Sequence, residues 1–216
     1  MQFETTSLDK DFEADISITY DSALGKDELS KIINTNIEKA ILKNVNSDEN
    51  AEHLKTVANA FNKEYLDFKT QFEEASEPKW ELHIETEKTY QSEDVITIAI
   101  STYEFKGGAH GNDAISFLNL NAKTGQAFDF KDSIKDIETF KSVAKAHFIK
   151  SIEAEDKNGK MEDFFFGKPF QLAENIGYTE DGIVLLYNIY EIASYDRGYT
   201  EFVIPFAELD GILILN

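Results

Sequence analysis

Tyr103-Glu104-Phe105-Lys106-Gly107-Gly108-Ala109-His110-Gly111-Asn112 is the stretch in which residue type and spacing most invite chemistry. A strand pattern runs into three glycines grouped about one histidine. Glycine permits positive φ and close backbone approach, and imidazole titrates near neutral pH and can hold a ligand. Gly107, Gly108 and His110 are therefore candidate ligand-binding residues. The competing reading is a tight connection between two strands, with His110 bonded to nearby backbone. A second candidate lies at 187–199, where Tyr187, Tyr190, Tyr195 and Tyr199 crowd into thirteen residues. Tyrosine joins a large apolar area to a polar tip, which suits recognition surfaces. Tyr190, Glu191 and Tyr195 are the candidates there, against the alternative that Tyr187 and Tyr190 complete the core and the remainder is a surface loop.

Catalytic patterns are missing. The four histidines, His53, His83, His110 and His147, show neither His-Glu-x-x-His nor His-x-x-x-His spacing, and no Gly-x-Ser-x-Gly elbow occurs. The glycine loop lacks the Gly-Lys-Ser/Thr ending of a phosphate loop. Asp156-Lys157-Asn158-Gly159 hints at a calcium loop, but Ala154 and Phe165 stand where its first and last carboxylate ligands belong. His147, on an apolar helical face, reads as a satisfied core histidine. Adjacent acids such as Glu162 and Asp163 are unavoidable among 41 acidic residues and receive no role. No cofactor or metal is implied, and no catalytic residue is assigned.

The elements that must hold these loops follow from periodicity. Phe12, Ala14, Ile16, Ile18 and Tyr20 alternate with polar residues, as in a strand with one wet face. Leu29, Ile32, Ile33, Ile37, Ala40 and Ile41 recur at helical spacing. A longer helix follows, with Ser47 as its expected N-cap and a stripe of Leu54, Val57, Ala58, Phe61, Tyr65, Phe68 and Phe72. Pro78 ends it. Trp80, Leu82 and Ile84 then begin a strand running opposite Val95 to Phe105, with the turn at 91–94. Ala114 to Asn121 reads as a third strand, closed through Lys123-Thr124-Gly125. Ile137, Phe140, Val143, Ala144, His147, Phe148 and Ile152 mark a third helix, and Ile183–Tyr187 and Thr200–Pro205 return to strand. Without regular strand-helix alternation, the fold class is α+β, mostly antiparallel, with sheets packed against amphipathic helices. The expected division is an α+β subdomain at 1–90 and a second α+β domain at 91–216.

Composition narrows the class. The chain has 216 residues, 42% of them hydrophobic, which suffices for a real core. The formal net charge is −20 and evenly spread: residues 1–90 carry 20 acids against 10 bases and residues 91–216 carry 21 against 11. Such a field repels nucleic acid and anionic lipid and speeds encounter with basic partners. There is no cysteine, so disulfides, thiolate metal sites and cysteine nucleophiles are excluded. No stretch approaches the roughly 20 apolar residues of a membrane span, and the first residues lack a signal-peptide pattern. If the protein is exported, its targeting segment is expected upstream of Met1.

Tyr-Glu-Phe-Lys-Gly-Gly-Ala-His-Gly at 103–111 and Asn-Ile-Tyr-Glu-Ile-Ala-Ser-Tyr-Asp-Arg-Gly at 188–198, leading to Phe202-Val203-Ile204-Pro205-Phe206, together carry a resemblance. They are similar to the extracellular domain shared by RsiV-type anti-sigma factors and PdaC-type peptidoglycan deacetylases; residues 1–90 resemble the N-terminal partner domain in layout. Ile189 and Ser194 depart from the family pattern, which favours proline at both positions. The resemblance implies an exported, often membrane- or lipid-anchored, ligand-binding α+β module. The Asp-Asp and His-x-x-x-His motifs of the deacetylase domain are missing, so that activity does not carry over. The expected function is a non-catalytic extracytoplasmic binding or sensor module of the bacterial cell envelope, using both loops as one surface. Its expected partner is cell-wall glycan or a basic protein such as lysozyme, with no nucleic acid, and with membrane contact only through an anchor. The rivals are a glycan hydrolase using a carboxylate pair and a purely structural lipoprotein domain.

Overall fold

The computed structural model describes residues 1–8, 10–45, 51–72, 78–155 and 159–214. Its elements are β1 (Phe3–Ser7), β2 (Asp15–Ala23), α1 (Glu28–Asn44), α2 (Leu54–Gln71), β3 (Glu81–Gln91), β4 (Val95–Phe105), β5 (Asn112–Asn121), β6 (Ala127–Phe128), α3 (Ile137–Glu155), β7 (Asn175–Thr179), β8 (Gly182–Tyr187) and β9 (Thr200–Ile204). Strands β1 to β6 form one sheet in chain order, and β7-β8-β9 form a second. This is an α+β fold with mostly antiparallel pairing. The exception is β2 with β3, parallel from Asp15↔Glu81 to Thr19↔Glu85. Two parallel strands need a crossover connection, and the intervening α1 and α2 provide it. By internal contacts the chain divides into a first unit, 1–87 with 100–114, and a second, 88–99 with 115–216.

In the first unit, Asp27 opens α1 by accepting from the Ser30 backbone N–H at 2.9 Å, an N-cap that satisfies one orphan donor. The helix buries Ile33, Ile37 and Ile41 almost completely. Each such side chain contributes about 1.5–3 kcal/mol. The expected cap Ser47 lies outside the described residues; the cap position of α2 is His53, whose side chain makes no capping bond. Glu38 of α1 serves instead, accepting from the Leu54 N–H at 3.2 Å and placing an anion at the positive helix end. Leu54, Val57, Ala58, Phe61 and Tyr65 are buried as the stripe requires, whereas Phe72, at the helix's end, is 49% exposed. Trp80 packs against Phe61, Tyr65 and Phe68, with ring centroids 5.9, 5.8 and 5.3 Å away.

The second unit is built round α3, whose Phe140, Ala144, Phe148 and Ile152 recur every four residues and are all buried. Phe148 meets the rings of Phe164, Phe165, Phe170, Tyr187 and Phe202. Aromatic pairs in edge and tilted contact add to the stability given by burial alone. Polar side chains stitch β7 to strands of the larger sheet: Thr97 Oγ1 donates to Asn119 Oδ1 at 2.8 Å, Asn119 Nδ2 to the Ile176 carbonyl at 2.9 Å, and Thr89 Oγ1 to the Tyr178 carbonyl at 2.9 Å. These bonds satisfy buried groups where no strand ladder reaches them.

Candidate functional site

The glycine–histidine loop joins β4 to β5 within the first unit. Gly107 and Gly108 hold φ of 87° and 102°, conformations that side chains other than glycine's rarely adopt. Gly111 serves a different purpose. A Cβ there would fall 2.3–2.6 Å from atoms of the Tyr103 ring, so glycine is what lets the chain pass over that ring. His110 is exposed, and its Nδ1 lies 3.0 Å from the Gly111 carbonyl. A carbonyl only accepts, so this bond needs the tautomer with the proton on Nδ1. The imidazole is thus bonded to adjacent backbone while its ring faces solvent. Tyr103 also packs against the His83 ring at 5.8 Å, beside a shallow open cleft lined by Asn44, Leu82, Thr102, Tyr103, Glu104 and Asn112.

The tyrosine loop lies in the second unit, between β8 and β9. Tyr187 ends β8 inside the core and donates its hydroxyl to the Gln171 carbonyl at 2.7 Å; burial raises its pKa, so it stays a neutral phenol. Tyr190 takes the opposite course. It is 59% exposed, with φ of 69°, so it does not complete the core. Its ring centroid lies 5.6 Å from that of Tyr195, which is also exposed, at 44° between planes. Between them in the chain, Ile192 and Ala193 are buried.

Glu191 fixes the shape of this loop. Its two carboxylate oxygens accept from the Glu174 N–H at 3.0 Å and the Asn188 N–H at 2.8 Å, so the side chain bridges the root of the loop and the residue before β7. Burial raises its pKa above the ordinary carboxylate range, opposed by those two N–H donors and reinforced by nearby Glu174. Further on, Ser194 Oγ donates to Asp196 at 2.5 Å, and the Arg197 guanidinium sits 5.6 Å above the Phe164 ring. Ser194 itself holds φ −69° and ψ 161°, the region a proline would occupy, so the departure from proline there leaves the backbone path unchanged.

Of the six candidates, Gly107, Gly108 and His110 fall in the first unit and Tyr190, Glu191 and Tyr195 in the second. Within the second unit the structure adds a segment that periodicity did not mark. The Phe164–Gly167 turn binds to the tyrosine loop through the Phe165 N–H, which donates to the Ile192 carbonyl at 2.6 Å. Phe165 is buried, while Phe166 is 65% exposed. The run Phe164-Phe165-Phe166 does not itself distinguish the buried ring from the exposed one. The signal that could have separated them is Gly167 directly after, which permits the φ of 79° that ends the turn. Among the described residues no group of His, Cys, Asp and Glu is arranged to hold a metal ion, and no helix is long and apolar enough to cross a membrane.

Fold and loops define a two-unit α+β protein with an aromatic surface loop, and comparison places that class. Residues 7–113 match the family model described as Deacetylase PdaC, and residues 130–207 match the protein family of unknown function DUF3298. The chain is thus similar to a PdaC-type model over its first part and to the DUF3298 family over its second, the architecture that its motifs resemble. The glycine–histidine loop falls in the first match and the tyrosine loop in the second. A crystal structure of a DUF3298 family member from Bacteroides fragilis is similar with a TM-score of 0.74 and 19% identity, over 98% of this chain and 93% of that one. A second, from Pseudomonas aeruginosa PAO1, gives 0.69 and 23%, over 98% and 94%. At such identities the likeness concerns the fold. Among curated proteins none matches significantly.

Proposed function

We propose that this chain is a non-catalytic binding module of the bacterial cell envelope, acting outside the cytoplasm, with the tyrosine loop as its contact surface. One observation carries the reading: Tyr190 and Tyr195 stand side by side in solvent on a loop that Glu191 pins from within. Two exposed rings lose little conformational freedom on binding when their backbone is already held, which is the property of a contact surface. The matches to a PdaC-type segment and a DUF3298 segment support the envelope setting, and the missing Asp-Asp and His-x-x-x-His motifs support a binding role over a deacetylase one.

Sedimentation with purified peptidoglycan sacculi, run beside capture of lysozyme as a basic protein, tests the proposal. The intact chain is retained by at least one of them, and Tyr190→Ala and Tyr195→Ala each abolish retention while thermal midpoints stay unchanged. Retention by neither probe, or retention indifferent to both substitutions, overturns it. Loss of folding in both variants would make these rings structural and remove the loop as the contact surface.

A further inference from the structure

Among the described residues, the non-glycine residues with positive φ are Phe165 at 60°, Phe166 at 51° and Tyr190 at 69°. All three lie in the second unit, on the two segments joined by the bond from Phe165 N to Ile192 O. The Arg197 guanidinium over the Phe164 ring is a second tie between them. Left-handed backbone is costly for aromatic residues and persists where the surrounding structure holds it in place. Packing accounts for Phe165, which is buried against Phe148, Phe170 and Tyr187. It does not account for Phe166 or Tyr190, whose rings this backbone directs into solvent, 65% and 59% exposed.

Net charge is low in the two segments that carry this patch. Around the rings, at 159–168 and 188–198, the basic residues Lys160, Lys168 and Arg197 are matched by the acids Glu162, Asp163 and Asp196, with Glu191 engaged by backbone N–H groups. A chain of net charge −20 thus presents its most exposed aromatics between segments whose charges nearly cancel. A basic protein drawn by the overall field would find an excess of only one acid there, Glu191, whose carboxylate is already turned onto backbone N–H groups. An uncharged ligand with flat apolar faces and hydroxyl edges matches it: the C–H faces of pyranose rings lie on aromatic rings, and their hydroxyls meet the tyrosine tips.

We infer that the Phe164–Gly167 turn and the tyrosine loop form one binding surface, and that Phe166, Tyr190 and Tyr195 stack on the sugar rings of an uncharged glycan chain. This rests on the binding-module reading above and names its ligand class.

The test is calorimetric titration with a soluble N-acetylglucosamine oligosaccharide and sedimentation with peptidoglycan sacculi, using the intact chain, Phe166→Ala and Tyr190→Ala. Each substitution should weaken glycan binding at least about tenfold, as truncation of a central contact does. Phe166→Ala should keep the thermal midpoint of the intact chain. Raising salt to about 0.5 M, where surface charges are screened within a few ångströms, should leave glycan binding unchanged. Glycan binding that survives Phe166→Ala, or that salt abolishes, overturns the inference. If lysozyme is captured in a salt- and Tyr190-dependent way while neither glycan probe binds, the glycan inference falls and the binding-module reading stands. If none of the three probes binds, both fall.

Discussion

The side-chain amide of Asn188 pairs with the backbone of Ile115 as a neighbouring strand would: its Oδ1 accepts from the Ile115 N–H at 2.8 Å and its Nδ2 donates to the Ile115 carbonyl at 2.9 Å. Both residues belong to the second unit, and the amide ties the end of β8, where the tyrosine loop begins, to β5. Asn188→Ala removes both bonds and leaves a donor and an acceptor partly buried without partners. The expected loss is about 1–3 kcal/mol of unfolding free energy by urea denaturation. A change below about 0.5 kcal/mol, the range of ordinary surface substitutions, would show that the amide does not hold the loop's root.

Gly111 and Gly108 separate two reasons for glycine in one loop. Gly111→Ala drives a methyl group into the Tyr103 ring and should destabilise by about 1–3 kcal/mol, as overpacking does. At Gly108 nothing lies within 4 Å of an added Cβ, so the cost of Gly108→Ala comes from its φ of 102° alone, about 1–2 kcal/mol. A Tyr103→Ala background decides between them in a double-mutant cycle. Truncating the ring should relieve Gly111→Ala and leave the Gly108→Ala cost as it was; equal relief of both would contradict the steric account.

Helices were legible in the sequence because one face of each must be apolar: Ile33, Ile37 and Ile41, or Phe140, Ala144, Phe148 and Ile152, mark that face without help from the rest of the chain. The hairpin of β3 and β4, and strands β8 and β9, were legible for the corresponding reason. Strand β1 was not. Phe-Glu-Thr-Thr-Ser has a single large apolar residue and is a strand because β2 offers it a ladder from Phe3↔Ala23 to Ser7↔Thr19. Nor does any local pattern reveal that β2 and β3 run parallel, since direction follows from the two-helix crossover. At the candidate site, the crowding of tyrosines was visible, but which rings face solvent was not. Tyr187 and Tyr190 are three residues apart, one fully buried and one mostly exposed, and the reversal comes from the positive φ at Tyr190 held by Glu191.

His147, expected as a satisfied core histidine, has its ring largely covered, and its Nε2 meets Glu208 Oε2 at 3.0 Å. That hydrogen bond holds the Glu208 carboxyl below its ordinary pKa. A depressed carboxylate pKa contributes stability that is present above the unfolded value, 4.5 here, and lost as pH falls through the lower folded value. Glu208 is solvent-exposed, so the sensitive readout is its titration and not the melting point. His147→Ala should move the carboxyl midpoint, followed by carbon NMR, upward toward the ordinary range. An unmoved midpoint would assign the depression to another group.

Glu191 carries the opposite sign. Its pKa is raised from 4.5, chiefly by burial, so between 4.5 and the folded value the native state binds more protons than the unfolded one, and stability falls as pH rises through that window. Glu191→Gln has no such titration. It retains one carbonyl oxygen for the Glu174 or the Asn188 N–H and turns an amide nitrogen toward the other. The difference in unfolding free energy, intact chain minus variant, should therefore decline from pH 4.5 upward and level off once Glu191 is ionised, as read from urea denaturation at successive pH values. A difference that grows with pH would mean that the two N–H donors stabilise the anion more than burial penalises it. The loop would then be held by a charge and not merely by an acceptor, and neutralising Glu191 would release Tyr190 from its left-handed conformation.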